Sequence, residues 1–288
     1  MTKIIDAFTF FKAVDVLKMR LELHDKYVDH FYICEANLTY TGEPKEYIFE
    51  KNMDQFAPWI NKITYIKWDA TEFAKDLDFS IKDKELNYKF DTPAWLMEFK
   101  QRNELSKHIC GLDDDDIVII TDMDEFIDPA VLFWLKAYSR EQSWDDVRLH
   151  LFNHCFYMNC VLPNNPWKHP FACKWRKFKN IEDVSSHRHR GGIALHFSDA
   201  GWHFSYLGGI DAVLDKLSAS CHTELDSAEI NNYEYQLKCM DLGIPPTKDK
   251  KAFHLKSCEY YFVPISIYPK EMQDIMRKNM QFVRKSLV

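Results

Sequence analysis

Asp113-Asp-Asp-Asp-Ile117-Val-Ile-Ile-Thr121-Asp122-Met-Asp124-Glu125 is the stretch on which the fold turns. Its middle, Ile117 to Thr121, is an unbroken β-branched run, the composition of a strand buried on both faces of a helix-covered sheet. An acidic turn precedes the run and an acidic tripeptide ends it. Asp128-Pro129 then sets a capping carboxylate before a proline suited to the first helical turn, which predicts a helix to about Leu135. Four acidic side chains, Asp122, Asp124, Glu125 and Asp128, therefore crowd the carboxyl end of a buried strand. In open α/β sheets ligands bind there.

Outward from this stretch, strand and helix patterns alternate, which predicts an α/β fold with a mixed sheet flanked by helices. Ile4 to Phe8, His30 to Glu35 and the alternating Lys62 to Trp68 read as strands. Between the first two, Val14, Leu17 and Leu21 mark a helix face. Asp91-Thr-Pro93 opens a helix that closes at Gly111. Past residue 145 the strands are less regular and richer in Trp and His; helices are expected near Asp211–Ala219 and Ser227–Met240, the latter closed by Gly243. No linker or repeat divides the chain, so a single domain is expected.

With 288 residues, 46% hydrophobic and only eight Gly and eleven Pro, the disordered and collagenous classes are excluded. Lys plus Arg at 37 against 44 Asp plus Glu gives −7, which disfavours nucleic-acid binding. Eight cysteines without a CxxC pair read as reduced thiols, and neither a signal peptide nor an apolar spanning stretch is present, so a cytoplasmic location is expected.

Asp122 and Asp124 sit one residue apart where the chain leaves extended geometry, so both can converge on one hard cation, Mn2+ or Mg2+. Such an ion can neutralise a departing diphosphate. The bland alternative is that these residues merely cap the following helix.

Asp6-Ala-Phe-Thr-Phe-Phe11 with Asp15-Val-Leu17 and Arg20-Leu21, then Val28-Asp29 and Glu35-Ala-Asn37-Leu-Thr39-Tyr-Thr-Gly42, resemble the amino-terminal block of glycosyltransferase family 17. Gln101-Arg-Asn103, Asp116 to Glu125, Gly201-Trp-His203-Phe-Ser205 and Lys216-Leu217 continue the likeness in order, to about residue 242. The resemblance implies a GT-A-type, Rossmann-like domain over residues 1–245, with a nucleotide-sugar half to about 135, an acceptor half from 136, and a closing segment 246–288. It also implies an inverting, metal-dependent transfer from a UDP-sugar to a glycan, as in the enzymes that add the bisecting N-acetylglucosamine in β-1,4 linkage. Lys12-Ala13 and Phe126-Ile127 depart from the family pattern and bear on the acceptor. The membrane anchor of animal members is absent, which favours a bacterial or viral glycan built in a cytosol.

Glu35 and Asn37, ending an early strand, are candidates for the nucleotide, with a turn as the bland reading of Asn37. Arg102 lies in an apolar stripe with Trp95, Phe99, Leu105 and Ile109; it either clamps the diphosphate, holds Asp122, or pairs with Glu98. Asp211 and Glu224 are the candidates for the general base, Asp211 preferred for its place at a helix start. His203 or His222 completes the metal shell, and Trp202 is a stacking floor for a sugar. Arg188 and Arg190, in a basic run 187–190, are expected in a loop beside the acceptor cleft, holding an anionic or lipid-linked glycan; a solvated surface is the alternative. Lys270 to Val288 predicts an amphipathic closing helix, with peripheral membrane contact as a second reading. Two rivals use the same motif differently: a haloacid-dehalogenase-type phosphatase, with Asp122 as nucleophile, and a non-catalytic glycan-binding relative.

Overall fold

A computed structural model describes residues 2–84, 90–141, 143–246 and 260–284. The chain opens with β1 (Ile4–Phe10), two residues longer than expected, and α1 (Val14–His24). Then come β2 (His30–Ala36), the short α2 (Ile48–Lys51), β3 (Ile63–Trp68) and α3 (Thr71–Ala74). Pro93 starts α4 (Pro93–Lys107), as the cap signal predicts, and β4 (Ile117–Asp122) follows. The acidic tripeptide leads first into a short strand, β5 (Glu125–Ile127), and only then into α5 (Pro129–Tyr138), capped by Asp128 Oδ1 accepting the Ala130 N–H at 2.7 Å.

β6 (Asp146–Leu149), β7 (Leu151–Cys155), β8 (Cys160–Trp167) and β9 (Phe171–Lys174) precede α6 (Trp175–Phe178) and α7 (Val184–Arg190). The basic run expected in a loop is thus helical, because the Asp183 carboxylate caps it through the Ser186 N–H at 2.9 Å. β10 (His196–Phe197), β11 (Gly201–Ser205), α8 (Ile210–Ala219), α9 (Tyr233–Leu242), β12 (Tyr261–Phe262) and the amphipathic α10 (Lys270–Lys278) complete the chain. α9 starts later than predicted because the Asn232 side chain, not Ser227, caps it.

Among the described residues the strands form two mixed sheets, ordered β10-β6-β9-β4-β1-β2-β3 and β12-β8-β7-β11-β5. In the first, β3, β2, β1 and β4 run parallel, and the order reverses between β1 and β4. Their carboxyl ends therefore flank the crevice in which such sheets take ligands. β4 is buried on both faces, as its composition required: Ile117 and Ile119 pack with Leu17 and Leu132, Val118 and Ile120 with Met97 and Leu105. In the second sheet, β11 pairs with β5 so that His203 lies opposite Glu125. Gly201 permits this: a Cβ there would stand 2.1 Å from the Phe126 carbonyl oxygen. α10 packs Met272, Ile275 and Met276 against Val16, Met19 and Leu23 of α1. No helix among the described residues is long and apolar enough to cross a membrane.

Candidate active site

The turn from Asp122 to Glu125 is framed by buried cations. Asp122, the last residue of β4, points Oδ1 at Arg102 Nη2 (2.8 Å) and Oδ2 at Arg188 Nη2 (2.7 Å), and its N–H donates to Glu125 Oε2 (2.7 Å). Arg188 also donates to Glu125 Oε1 at 2.5 Å, and Trp167 donates its indole N–H to the same oxygen. From the opposite side Arg20 donates to the carbonyls of Asp122 (2.9 Å) and Glu125 (2.6 Å) while pairing with Asp6. Arg102 satisfies two of its expected readings at once, pairing with Glu98 one turn earlier (2.7 Å) and holding Asp122.

Such density of buried charge is stable only when each ion meets partners. Burial pushes the Asp122 carboxyl up, but Arg188 and Arg102 outweigh it and hold Asp122 well below the usual carboxylate range. At Glu125 burial prevails and the pKa is raised.

Asp124 faces the other way. Its Oδ2 accepts from Lys216 Nζ (2.7 Å), and its Oδ1 lies 3.7 Å from His203 Nε2. Asn153 donates its amide N–H to the Asn165 carbonyl (2.7 Å), which turns the Asn153 oxygen toward His203 Nδ1 (2.9 Å). Nδ1 therefore carries the proton and Nε2 the lone pair. Burial lowers the His203 pKa to about 4, so the ring is neutral at physiological pH. Trp167 stacks on this imidazole with centroids 4.4 Å apart.

Among the described residues no three His, Cys, Asp or Glu side chains converge into a cation cage. The residues present fit part of a seat: Asp124 Oδ1 and the His203 Nε2 lone pair, 3.7 Å apart, are the donors that would hold such an ion. A nitrogen donor suits Mn2+ better than Mg2+. Asp122, with both oxygens on arginines, fits a bracing role better than direct coordination.

The other predicted residues fall into three groups. Arg188 is not in a loop beside the cleft but buried in α7 under the acidic turn, and its charge is spent there; Arg190 ends the same helix, exposed, with its guanidinium over the Phe90 ring at 4.8 Å. Trp202 is 4% exposed and packs in the core with Phe126 and Tyr268, so it offers no face to a sugar. Glu35 is fully buried and accepts from Lys45, Tyr65 and the backbone N–H groups of Ile48 and Phe49, bracing the chain after β2. Asn37 ties the end of β2 to the turn after β3, donating to Asp69 (2.8 Å) and accepting from the Ala70 N–H (2.8 Å).

Asp211 is exposed in the first turn of α8. Glu224 is buried beyond the same helix; His222 Nδ1 holds its Oε1 at 2.8 Å, and its Oε2 has no hydrogen-bond partner. His222 thus serves Glu224, leaving His203 at Asp124. Trp95 Nε1 and His189 Nδ1 are likewise buried without hydrogen-bond partners, while His189 Nε2 lies 3.9 Å from Glu98 Oε1. Cys221 interacts with both Glu98 and Glu224, which places these groups in one neighbourhood. Buried polar atoms left unpaired cost about 1–3 kcal/mol each, so such a neighbourhood suits bound hydroxyls or water. Sequence reasoning placed Arg20 and Lys216 in the family likeness without giving either a role, and did not single out Asn153. Arg20 carries the signal that exposed Arg102, an arginine beside Leu17 and Leu21 on an apolar face; Asn153 carries none.

The parallel strands, their reversal and the acidic turn at that point define an α/β scaffold with a ligand crevice at its carboxyl edge. The sequence model of glycosyltransferase family 17 matches residues 1–239, and the chain belongs to that family. No curated protein matches it. Among solved structures, TarS of S. aureus (residues 1–349) aligns with TM-score 0.39 and 10% identity over 83% of this chain and 70% of its own. The 2-C-methyl-D-erythritol 4-phosphate cytidylyltransferase (IspD) of Francisella tularensis aligns with TM-score 0.38 and 12% identity over 69% and 91%. The family match sets aside the phosphatase rival.

Proposed function

We propose that this glycosyltransferase moves a sugar, N-acetylglucosamine, from a UDP donor to a glycan hydroxyl with inversion and β-1,4 linkage. The observation that carries the reading is the placement of Asp122-Met-Asp124, within the span matched by the family, at the point where the parallel strands reverse. The free thiols among the described residues agree with work in a reducing compartment.

In this reading Asp122 braces the turn through its two arginines, while Asp124 and His203 hold a divalent cation. The cation, Mn2+ by its donors, would neutralise charge on the leaving diphosphate. Glu224 replaces Asp211 as the base: its unpartnered oxygen takes the acceptor proton as the acceptor oxygen bonds to the anomeric carbon. The bond from that carbon to the diphosphate breaks, and its electron pair leaves with the oxygen. His222 fixes the carboxylate for this task.

Incubation with UDP-N-acetylglucosamine, UDP-glucose or UDP-galactose and Mn2+, with UDP release measured, tests the reading. Release is expected fastest with the first. Absence of release from every donor, with sugar binding retained, would favour the non-catalytic relative.

A further inference from the structure

Helix α8 reaches across the crevice and meets the ends of three parallel strands through polar groups. Past β1, Lys12 Nζ donates to Asp215 at 2.8 Å; past β2, the Thr41 hydroxyl donates to the Ser218 carbonyl at 3.2 Å; past β4, Lys216 donates to Asp124 at 2.7 Å. The approach is set by Gly208 and Gly209, whose φ angles of 126° and 85° belong to glycine. The helix is held from below by Val213 and Leu217, at 0% and 1% exposure, so Lys216 is not needed as its anchor.

Lys216 has other properties that an anchor does not require. Its side chain remains 38% exposed. Asp124 uses one of the ammonium's three protons, and the ammonium stands 5.1 Å from the Tyr206 ring centroid, which leaves donor capacity toward the crevice. An ammonium group therefore sits against the carboxylate at which the diphosphate is expected. The arginines nearby cannot serve in its place, since Arg102 and Arg188 are 1% exposed and committed to Glu98, Asp122 and Glu125.

We propose that Lys216 is a donor-binding residue that contacts the diphosphate of the nucleotide sugar, an inference that rests on the UDP-sugar reading above. As the bond between the anomeric carbon and the diphosphate oxygen breaks, the electron pair stays on that oxygen and the ammonium balances the new charge without giving up a proton. α8 is then the element that brings a protein cation to the leaving group.

Calorimetric titration of UDP and of uridine into the wild-type protein, Lys216→Met and Lys216→Arg, all with Mn2+ present, tests this. Loss of a charged hydrogen bond should weaken UDP binding by about 10- to 100-fold in Lys216→Met, leave uridine binding unchanged, and be largely restored in Lys216→Arg. Should the Met variant not fold, Lys216→Gln keeps a donor without charge and is expected to behave likewise. Equal weakening of UDP and uridine, or unchanged UDP binding, would reduce Lys216 to a structural contact and overturn the proposal. Failure of the wild-type protein to bind either ligand would instead overturn the UDP reading beneath it.

Discussion

Arg188 shows how much of this site is electrostatic bracing. Its side chain is fully buried against Glu125, which is equally buried, and it shares Asp122 with Arg102. Arg188→Met would leave Glu125 as an unmatched buried carboxylate, so a loss of about 3–5 kcal/mol is expected in urea unfolding. At the proposed base, Glu224→Gln keeps the shape and removes the proton acceptor; turnover should fall by about two to four orders of magnitude while UDP affinity holds. Asp211→Asn, on an exposed turn, should change neither quantity. The opposite outcome would return the base to Asp211. His203 gives a pH signature. Burial lowers its pKa from 6.5 to about 4, so between those values the unfolded chain binds a proton that the folded protein refuses. Its contribution to stability is complete above pH 6.5 and is lost as pH falls toward 4. His203→Asn should flatten that slope in urea midpoints measured across the interval.

At the scale of elements, the pairing of β11 with β5 decides where His203 stands relative to Asp124. Gly201 allows the two backbones to approach, and an added Cβ would meet backbone atoms of Phe126, Ile127 and Asp128 rather than a yielding side chain. Its φ of 147° also disfavours other residues. Gly201→Ala should therefore cost about 1–3 kcal/mol of stability, as strained backbone does. It should weaken Mn2+ binding, read by electron paramagnetic resonance, because the strand that carries the imidazole must shift. Unchanged Mn2+ affinity in a destabilised variant would separate the pairing from the proposed metal seat.

Across the whole molecule, the carboxyl-terminal helix closes a core that the amino-terminal helix begins. Met272, Ile275, Met276 and Phe282 are buried with Val16, Met19 and Leu23 on the far side of α1 from the main sheet. Each fully buried side chain of this kind contributes about 1.5–3 kcal/mol, so the set is comparable with the ~5–15 kcal/mol that holds a domain folded. A chain ended at Pro264 is expected to lose cooperative thermal unfolding. It should also lose Mn2+ binding, because Arg20, which frames the acidic turn, projects from the same helix. Retention of a sharp transition would show that the segment is dispensable.

The sequence by itself determined the α/β class, the buried β4 and the acidic turn at its end, because these rest on local patterns: a β-branched run, a proline after a capping carboxylate, a helical stripe. Arg102 was legible for the same reason, since a charge inside an apolar stripe demands a partner wherever the chain folds. What partner each charge meets was decided only by tertiary structure. Arg188 and Asp122 are 66 residues apart, Lys216 and Asp124 are 92, and neither separation leaves a periodic trace. Trp202 and Glu35 share residue types with ligand-binding positions, yet strand pairing turned one into the core and the other onto its own neighbours. Whether a carboxylate is spent or free depends on burial and partners. Glu224, with one oxygen held and the other buried without a hydrogen-bond partner, therefore stands out only when the chain is folded.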